Sequence, residues 1–392
     1  MDRSKKQRRW EGSQMSGRGE TNGRRPTIRD VAERAGVSKS LVSLVMRGEP
    51  MVRDDKRRRV QQAADELGYR MNLAARSLSN VRSNTIGVLV ADLRNPLLVD
   101  VIERASQVLE DGGLSTLLIS AVKPSRPTSE PRIDSRAIGA LKDLRVEGML
   151  IVGSVPNQQA LAELLGDMPV VVAAAGVDGL RADVVRNDDQ LGMRLVVDYL
   201  VASGHTAIAH LGGLGGVVAE ERVAGYCAAM AQHGLESEIM IVEADFTEDA
   251  GYRGAARLLR SVRPVTAIAG VNDLAAVGAM SAVADAGLRV PDDVAVTGYD
   301  DTFVAAIRQV SLTSVNPDSS GIGLQAARCV LRRIEDPGRP VEEHLLPPRL
   351  VRRFSSGVPA GGFGSVAPDA EGGRHPDTRF AILTGDILRR SS

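Results

Sequence analysis

The sequence predicts an α/β protein with a small all-α head in front of a larger core built on parallel sheets. Three observations predict it. Three short helical patterns crowd residues 27–68. Six short apolar runs then alternate with helical patterns across residues 83–354, the signature of a parallel sheet covered on both faces. Charge is also divided. The chain of 392 residues is formally neutral, yet residues 1–80 carry a net +9 and the remainder a net −9. A basic head on an acidic body suits a polyanion-binding module, and equally a solvated basic tail on an ordinary enzyme.

Residues 1–25 are polar and basic with no sustained apolar period, and read as a disordered arm. The head follows at 26–70. Thr27 is placed to cap the first helix, with Asp30 as the acid that reaches back in a capping box. Ile28, Val31 and Ala32 form its apolar stripe, and Gly36 supplies the left-handed turn that ends it. Ser38 caps a second helix in which Leu41, Val42 and Val45 share a face. A third starts near Asp54, buries Val60, Ala63, Ala64 and Leu67, and stops at Gly68. Two helices joined by a tight Gly turn and braced by a third are the parts of a helix-turn-helix DNA reader.

In the core, apolar runs at 85–91, 148–152, 170–175, 207–211, 267–271 and 294–297 predict six strands in two similar halves. Helical patterns at 97–111, 189–203 and 273–287 lie between them. Ligands of open parallel sheets bind outside the carboxyl ends of the strands. Those ends here carry Asp92, Arg94 and Asn95, then Asn272 and Asp273, then Tyr299, Asp300 and Asp301. Arg222 follows the glycine-rich stretch 212–216. Asp and Asn accept from ligand hydroxyls, and Arg holds a carboxylate or ring oxygen. Asp189 and Asp273 can equally be caps of the following helices. Beyond residue 357 Gly and Pro break every pattern, so 357–392 reads as a flexible tail.

Several function classes find no support. No apolar stretch approaches the ~18–20 residues of a membrane span, and no apolar block follows the basic N-terminus as a secretory signal requires. Two cysteines, Cys227 and Cys329, make no disulfide framework, so a reducing cytoplasm is expected. The stretch 212–216 lacks the spaced third glycine of a dinucleotide fingerprint, and neither a phosphate-cradling loop nor a nucleophile elbow is found. No enzyme activity, cofactor or metal is therefore expected. His205 and His210 have no cysteine nearby to complete a zinc set. The clustered aspartates suit a solute cleft as well as a divalent cation.

Thr27-Ile28-Arg29-Asp30-Val31-Ala32 followed by Ala35-Gly36-Val37-Ser38 resembles the N-terminus of lactose-repressor-type (LacI/GalR) transcription regulators. Leu67-Gly68-Tyr69, Asn72-Leu73-Ala74-Ala75-Arg76-Ser77-Leu78, Asn95-Pro96, Ser203-Gly204-His205, Arg222-Val223-Ala224-Gly225-Tyr226, Asn272-Asp273 and Gly298-Tyr299-Asp300-Asp301 continue it in order to residue 356. The resemblance implies a helix-turn-helix head, a hinge helix at 71–82 and a two-lobed core at 83–356 resembling periplasmic sugar-binding proteins. It implies three crossings between lobes, near Arg186, Pro317 and Pro340. The lobes would then be 83–185 with 318–338, and 186–316 with 341–356. It further implies a homodimer on palindromic operator DNA, controlled by a small-molecule effector such as a sugar; a tail without heptads argues against a zippered tetramer.

Carried over residue by residue, the DNA-binding positions are Thr27, Ser38, Lys39, Ser40, Ser43, Leu44, Asn72, Ala75 and Leu78. Lys39, Ser40 and Leu44 lie on the base-reading face. Leu44 stands where arginine is usual and Leu41 where threonine is common; leucine can pack on a thymine methyl but cannot hold a guanine. Leu78 matches the hinge leucine that wedges into the minor groove, while Met71 replaces the proline often found before it. The effector-binding positions are Asp92, Asn95, Arg222, Phe246, Asn272 and Asp300. Ala174 and Pro317 fall where polar ligand contacts are common. The rival reading is a solute-binding protein or sugar-processing enzyme with an incidental basic head.

Overall fold

A computed structural model describes residues 26–46, 51–69, 83–120, 122–123 and 132–357. The expected arm at 1–25, the expected hinge helix with Asn72, Ala75 and Leu78, and the expected tail beyond Gly357 lie outside the described residues.

The head is three helices, α1 (Ile28–Ala35), α2 (Lys39–Met46) and α3 (Asp54–Leu67). The Asp30 carboxylate accepts from the Thr27 amide at 2.6 Å and from its hydroxyl at 2.8 Å, fixing the start of α1. Gly36 ends it at φ 61°, and the Val37 amide donates back to the Ala32 carbonyl at 3.0 Å. Ser38 Oγ accepts from the Leu41 amide at 3.2 Å and caps α2. Isolated helices this short are marginal in water, so packing holds them. Val31, Val42, Val45, Val60, Ala63 and Ala64 form the buried centre.

The core holds two sheets. In the first, β1 (Thr85–Val90), β2 (Ser115–Ile119), β5 (Gly148–Val152), β6 (Val170–Ala173), β7 (Asp183–Asn187) and β13 (Glu343–Leu346) run parallel in the order β13-β7-β6-β5-β1-β2. A separate antiparallel pair is β3 (Val122–Lys123) with β4 (Arg132–Ile133). The second sheet has the order β14-β12-β11-β10-β8-β9, from β8 (Ile208–Gly213), β9 (Met240–Ala244), β10 (Ala267–Gly270), β11 (Ala295–Tyr299), β12 (Thr313–Asn316) and β14 (Arg349–Val351). Only β14 in it is antiparallel to its neighbour.

Helices cover both faces of each sheet. On the first, α4 (Pro96–Asp111) and α12 (Ser319–Glu335) bury Val101, Ala105, Ile322 and Ala326 on one side, while α5 (Ser135–Asp143) and α6 (Gln158–Leu165) bury Ile138, Leu141 and Leu161 on the other. On the second, α7 (Asp189–Ala202) and α8 (Val217–Gln232) face α9 (Glu248–Leu259) and α10 (Asp273–Asp285) across the sheet. A single short turn, α11 (Phe303–Ala306), follows β11.

The structure differs from the sequence reading in two respects. Within the two sheets six additional strands join the six expected, mostly at sheet edges, and the separate pair β3–β4 adds two more. β2 and β9 mix partly buried and exposed residues, with only Ala244 at the end of β9 buried, so neither is the continuously buried run that marks a central strand. The third crossing also falls later than Pro340. β13 pairs with β7 in the first sheet, so the chain passes to the second lobe only at Pro347 and Pro348. Residues 341–346 therefore belong with the first lobe, as do Arg186 and Asn187 of β7. The polar sequence of β13, EHLL, hides an edge strand supported on one side.

Candidate functional site

The carboxyl ends of both sheets meet at one cleft of ≈ 440 Å³ between the lobes. Asp92, Arg94 and Asn95 follow β1, Ser154 follows β5, and Ala174 follows β6. From the other lobe come Gly215, Arg222, the 245–248 segment after β9, and Asp300 after β11.

Arg222 lies on α8 with its side chain 2% exposed. Its Nε donates to Asp189 at 2.8 Å, one Nη to the Val271 carbonyl, and the other to Asp300 Oδ1 at 3.3 Å. The guanidinium lies over the Tyr299 ring, 3.6 Å from the centroid, and 5.8 Å from that of Phe246. Burial acts against the charge, but the Asp189 and Asp300 carboxylates outweigh it and raise its pKa further. Burial pushes Asp300 up to about 7, opposed by Arg222 and reinforced by Asp273 and Asp189. Asp300 also sits at φ 101°, a conformation disfavoured outside glycine, held by its surroundings.

Of the six effector positions expected from the sequence, Asp92, Asn95, Arg222, Phe246 and Asp300 line this cleft. Asn272 does not. Its Oδ1 caps α10 by accepting from the Ala275 amide at 2.9 Å, and its Nδ2 donates to the Phe246 carbonyl at 3.1 Å. It fixes the backbone of a cleft residue from behind. Asn95 likewise caps α4, accepting from the Leu97 amide at 3.0 Å, while still facing the cleft. Asp92 is ion-paired with Arg94 at 2.8 Å on the rim. Phe246 fills space that a side chain at position 215 would need: a Cβ on Gly215 would stand 2.3 Å from its ring.

The open choice over Asp189 and Asp273 resolves against capping. Asp188 caps α7 through the Leu191 amide, and Asn272 caps α10. Asp189 and Asp273 come one residue later and face inward. Asp273 accepts from the Thr302 amide at 2.7 Å and hydroxyl at 2.8 Å, and burial pushes its carboxyl up to about 6. Sequence reasoning missed Asp189 and Tyr299 as supports of Arg222, and Ser154, Asp245, Thr247 and Glu248 as lining. The aspartate behind a cap residue was the available signal for Asp189.

On the head, Lys39 and Ser40 are exposed at the start of α2, and Ser38 is exposed before them. Ser43 and Leu44 are half-buried, and Leu44 packs on the helical centre of the head. Thr27 is half-buried and bonded to Asp30. Among the described residues no helix is long and apolar enough to cross a membrane.

The profile of bacterial regulatory proteins of the lacI family matches residues 27–72, and that of the periplasmic binding protein-like domain matches 197–356. The HTH-type transcriptional repressor PurR of Vibrio campbellii is 32% identical over 332 residues, covering 83% of this chain and 97% of that protein. The chain belongs to the lacI family. This lacI-family protein is a DNA-binding transcriptional regulator with an effector-binding core. The lac repressor dimer bound to operator and the anti-inducer ONPF is 27% identical with a TM-score of 0.73, covering 86% of this chain and 100% of that one. A complex of the regulator CelR with cellobiose is 29% identical with a TM-score of 0.62, covering 84% and 100%. In this lacI-family chain the matched head lies within the basic segment 1–80, and a matched DNA-binding head sets aside the incidental-head reading.

Proposed function

We propose that this regulator is a repressor whose homodimer grips a palindromic operator and releases or tightens it when a neutral, polyhydroxylated metabolite such as a sugar enters the cleft. Twofold-related heads would engage half-sites one helical turn or a multiple apart. Lys39 and Ser40 would face base edges, with only the exposed part of Leu44 beside them, and Thr27, Ser38 and Ser43 toward phosphates; Asn72, Ala75 and Leu78 would complete the contact from the hinge. Phosphate contacts supply much of such affinity. The effector must bind the operator-competent and incompetent forms unequally, or nothing switches.

The chemistry at Arg222 and Asp300 carries the effector reading. A guanidinium has five N–H donors, and three are spent on Asp189, Val271 and Asp300. Asp300 accepts through Oδ1, and its Oδ2 takes no hydrogen bond among the described residues. Free donors beside a free acceptor suit a hydroxyl, which accepts and donates at once. A ligand carboxylate has only acceptors and would meet an ionised Asp300 like against like. Phe246 offers an aromatic face for a sugar ring. The relative solved with cellobiose favours the same class.

The test is a thermal-shift panel of monosaccharides, disaccharides, sugar acids and nucleobases, run on wild type and Asp300→Ala. A neutral sugar that raises the wild-type midpoint, leaves the variant unmoved and changes operator affinity supports the reading. Equal stabilisation of both proteins overturns the site assignment.

A further inference from the structure

The turn 298–301 touches the cleft, the first two crossings between the lobes, and the end of the strand that follows the third. Tyr299 reaches the first crossing, because Asn187, the last residue of β7, donates to its hydroxyl at 2.7 Å and to Asp189 at 3.1 Å. Gly192 on α7 leaves room for that hydroxyl; a Cβ there would stand 2.1 Å from it. Asp300 meets Arg222 in the cleft. Asp301 reaches the second crossing with one oxygen and the chain beyond the third with the other. Oδ2 accepts at 2.7 Å from Asn316, the last residue of β12 before the chain crosses at Pro317. Oδ1 accepts at 2.7 Å from Arg353, just after the strand β14 that follows the third crossing.

The link runs on into the first lobe. Asn316 Oδ1 accepts from the Asp318 amide at 2.8 Å, and Asp318 caps α12 by accepting from the Gly321 amide at 3.0 Å. α12 is packed deep in the first lobe against α4, where a Cβ on Gly323 would stand 2.6 Å from the Val101 carbonyl. Both Asp300 and Asp301 have positive φ, at 101° and 47°, and Asp273 pins the next residue, Thr302. A turn held this tightly does not absorb a displacement locally, because packed elements switch between discrete arrangements.

We propose that Tyr299 and Asp301 are positioning residues that transmit the state of Asp300 to the lobe crossings, through Asn187 and through Asn316 with Arg353. A group bound at Asp300 then biases how the lobes sit, without touching any crossing itself. The proposal rests on the reading of Asp300 as an effector contact, yet its test needs no effector.

The test is hydrogen-exchange mass spectrometry of the ligand-free full chain. Asp300→Asn, which removes the charge with little change of shape, is expected to alter exchange at 187–192 and 316–322 by about threefold or more. Combined with Asn316→Ala, the response at 316–322 is lost and that at 187–192 persists. Combined with Asn187→Ala, the pattern reverses. A purely structural role for these asparagines would instead add a constant increment in each background, and such additivity overturns the proposal, as does a response confined to 298–303. If Asn316→Ala does not fold, Asn316→Ser takes its place under the same criteria. Failure of the metabolite panel counts against the effector reading alone, whereas failure of the exchange pattern counts against this relay alone.

Discussion

The guanidinium carbon of Arg222 lies 3.6 Å above the ring of Tyr299, and the two side chains are among the largest that the core buries completely. Tyr299 ends β11 and Arg222 is one turn into α8, so the contact joins a strand end to a helix across the floor of the cleft. Flanked by Asp189 and Asp300, the cation is held by a ring stack and two carboxylates.

Removing that cation leaves two carboxylates buried with no counter-charge. Arg222→Met is expected to destabilise the core by about 3–5 kcal/mol, as breaking one side of a buried ion pair does. Urea denaturation measures it, and a loss below about 1 kcal/mol would mean that the cluster relaxes or protonates at little cost.

Stability should depend on pH through Asp300 and, in the same sense, through Asp273, whose carboxyl burial raises to about 6. The folded pKa of Asp300, about 7, lies above the ordinary value of 3.8, so between these values the folded state holds more protons than the unfolded. Its contribution is full below about 4 and is lost as pH rises through 7. His210 acts oppositely: burial lowers it from 6.5 to about 4, so its contribution is lost as pH falls across that window. Comparing wild type with Asp300→Asn separates Asp300 from the other two. The wild-type thermal midpoint should fall relative to the variant between pH 4.5 and pH 7.5, by calorimetry at about half-unit steps; parallel curves would show that Asp300 is already ionised at pH 5.

Two helices of the second lobe touch through glycine. A Cβ on Gly278 would stand 2.0 Å from the Glu248 carbonyl, and one on Gly251 would stand 2.0 Å from that of Ala275. Backbone cannot yield as a side-chain tip can, so Gly278→Ala should cost about 2 kcal/mol or more. Gly139 on α5 is the control, with nothing within 4 Å of its would-be Cβ; Gly139→Ala should stabilise by about 0.4–1 kcal/mol. Similar thermal midpoints for the two variants would contradict the close crossing of α9 and α10.

On the head, Lys39→Ala removes an exposed cation at the start of α2 without touching the helical centre. Operator affinity should fall by about 1–3 kcal/mol with the core melting transition unchanged. Fluorescence anisotropy across a salt series reads it: a flatter dependence on salt identifies a phosphate contact, while unaltered affinity at every salt concentration removes Lys39 from the interface.

The head was legible because its signals are local. Thr27, Asp30, Gly36 and Ser38 each act within a few residues, and the structure uses each as the spacing suggests. Central strands were legible from apolar runs, whereas β2, β9 and β13 were not, since an edge strand shows water one face and looks like a loop. In the cleft, polarity at strand ends marked Asp92, Asn95 and Asp300. The same polarity also picked out Asn272, whose side chain here caps α10, since an asparagine after a strand serves a helix cap as readily as a ligand. Asp189 was invisible as a partner of Arg222, being 33 residues away along the chain.

The pairing of β13 with β7 bears on how the protein is made. Asp183, at the start of β7, is buried, and its partners Arg333 and the Glu342 amide come 150 or more residues later. While a ribosome is still translating the second half, the nascent first lobe has an unpaired strand edge and a lone acid where its border should be. Such late, distant closure is slow and leaves sticky intermediates, so truncation before residue 346 should yield aggregates rather than a smaller soluble domain.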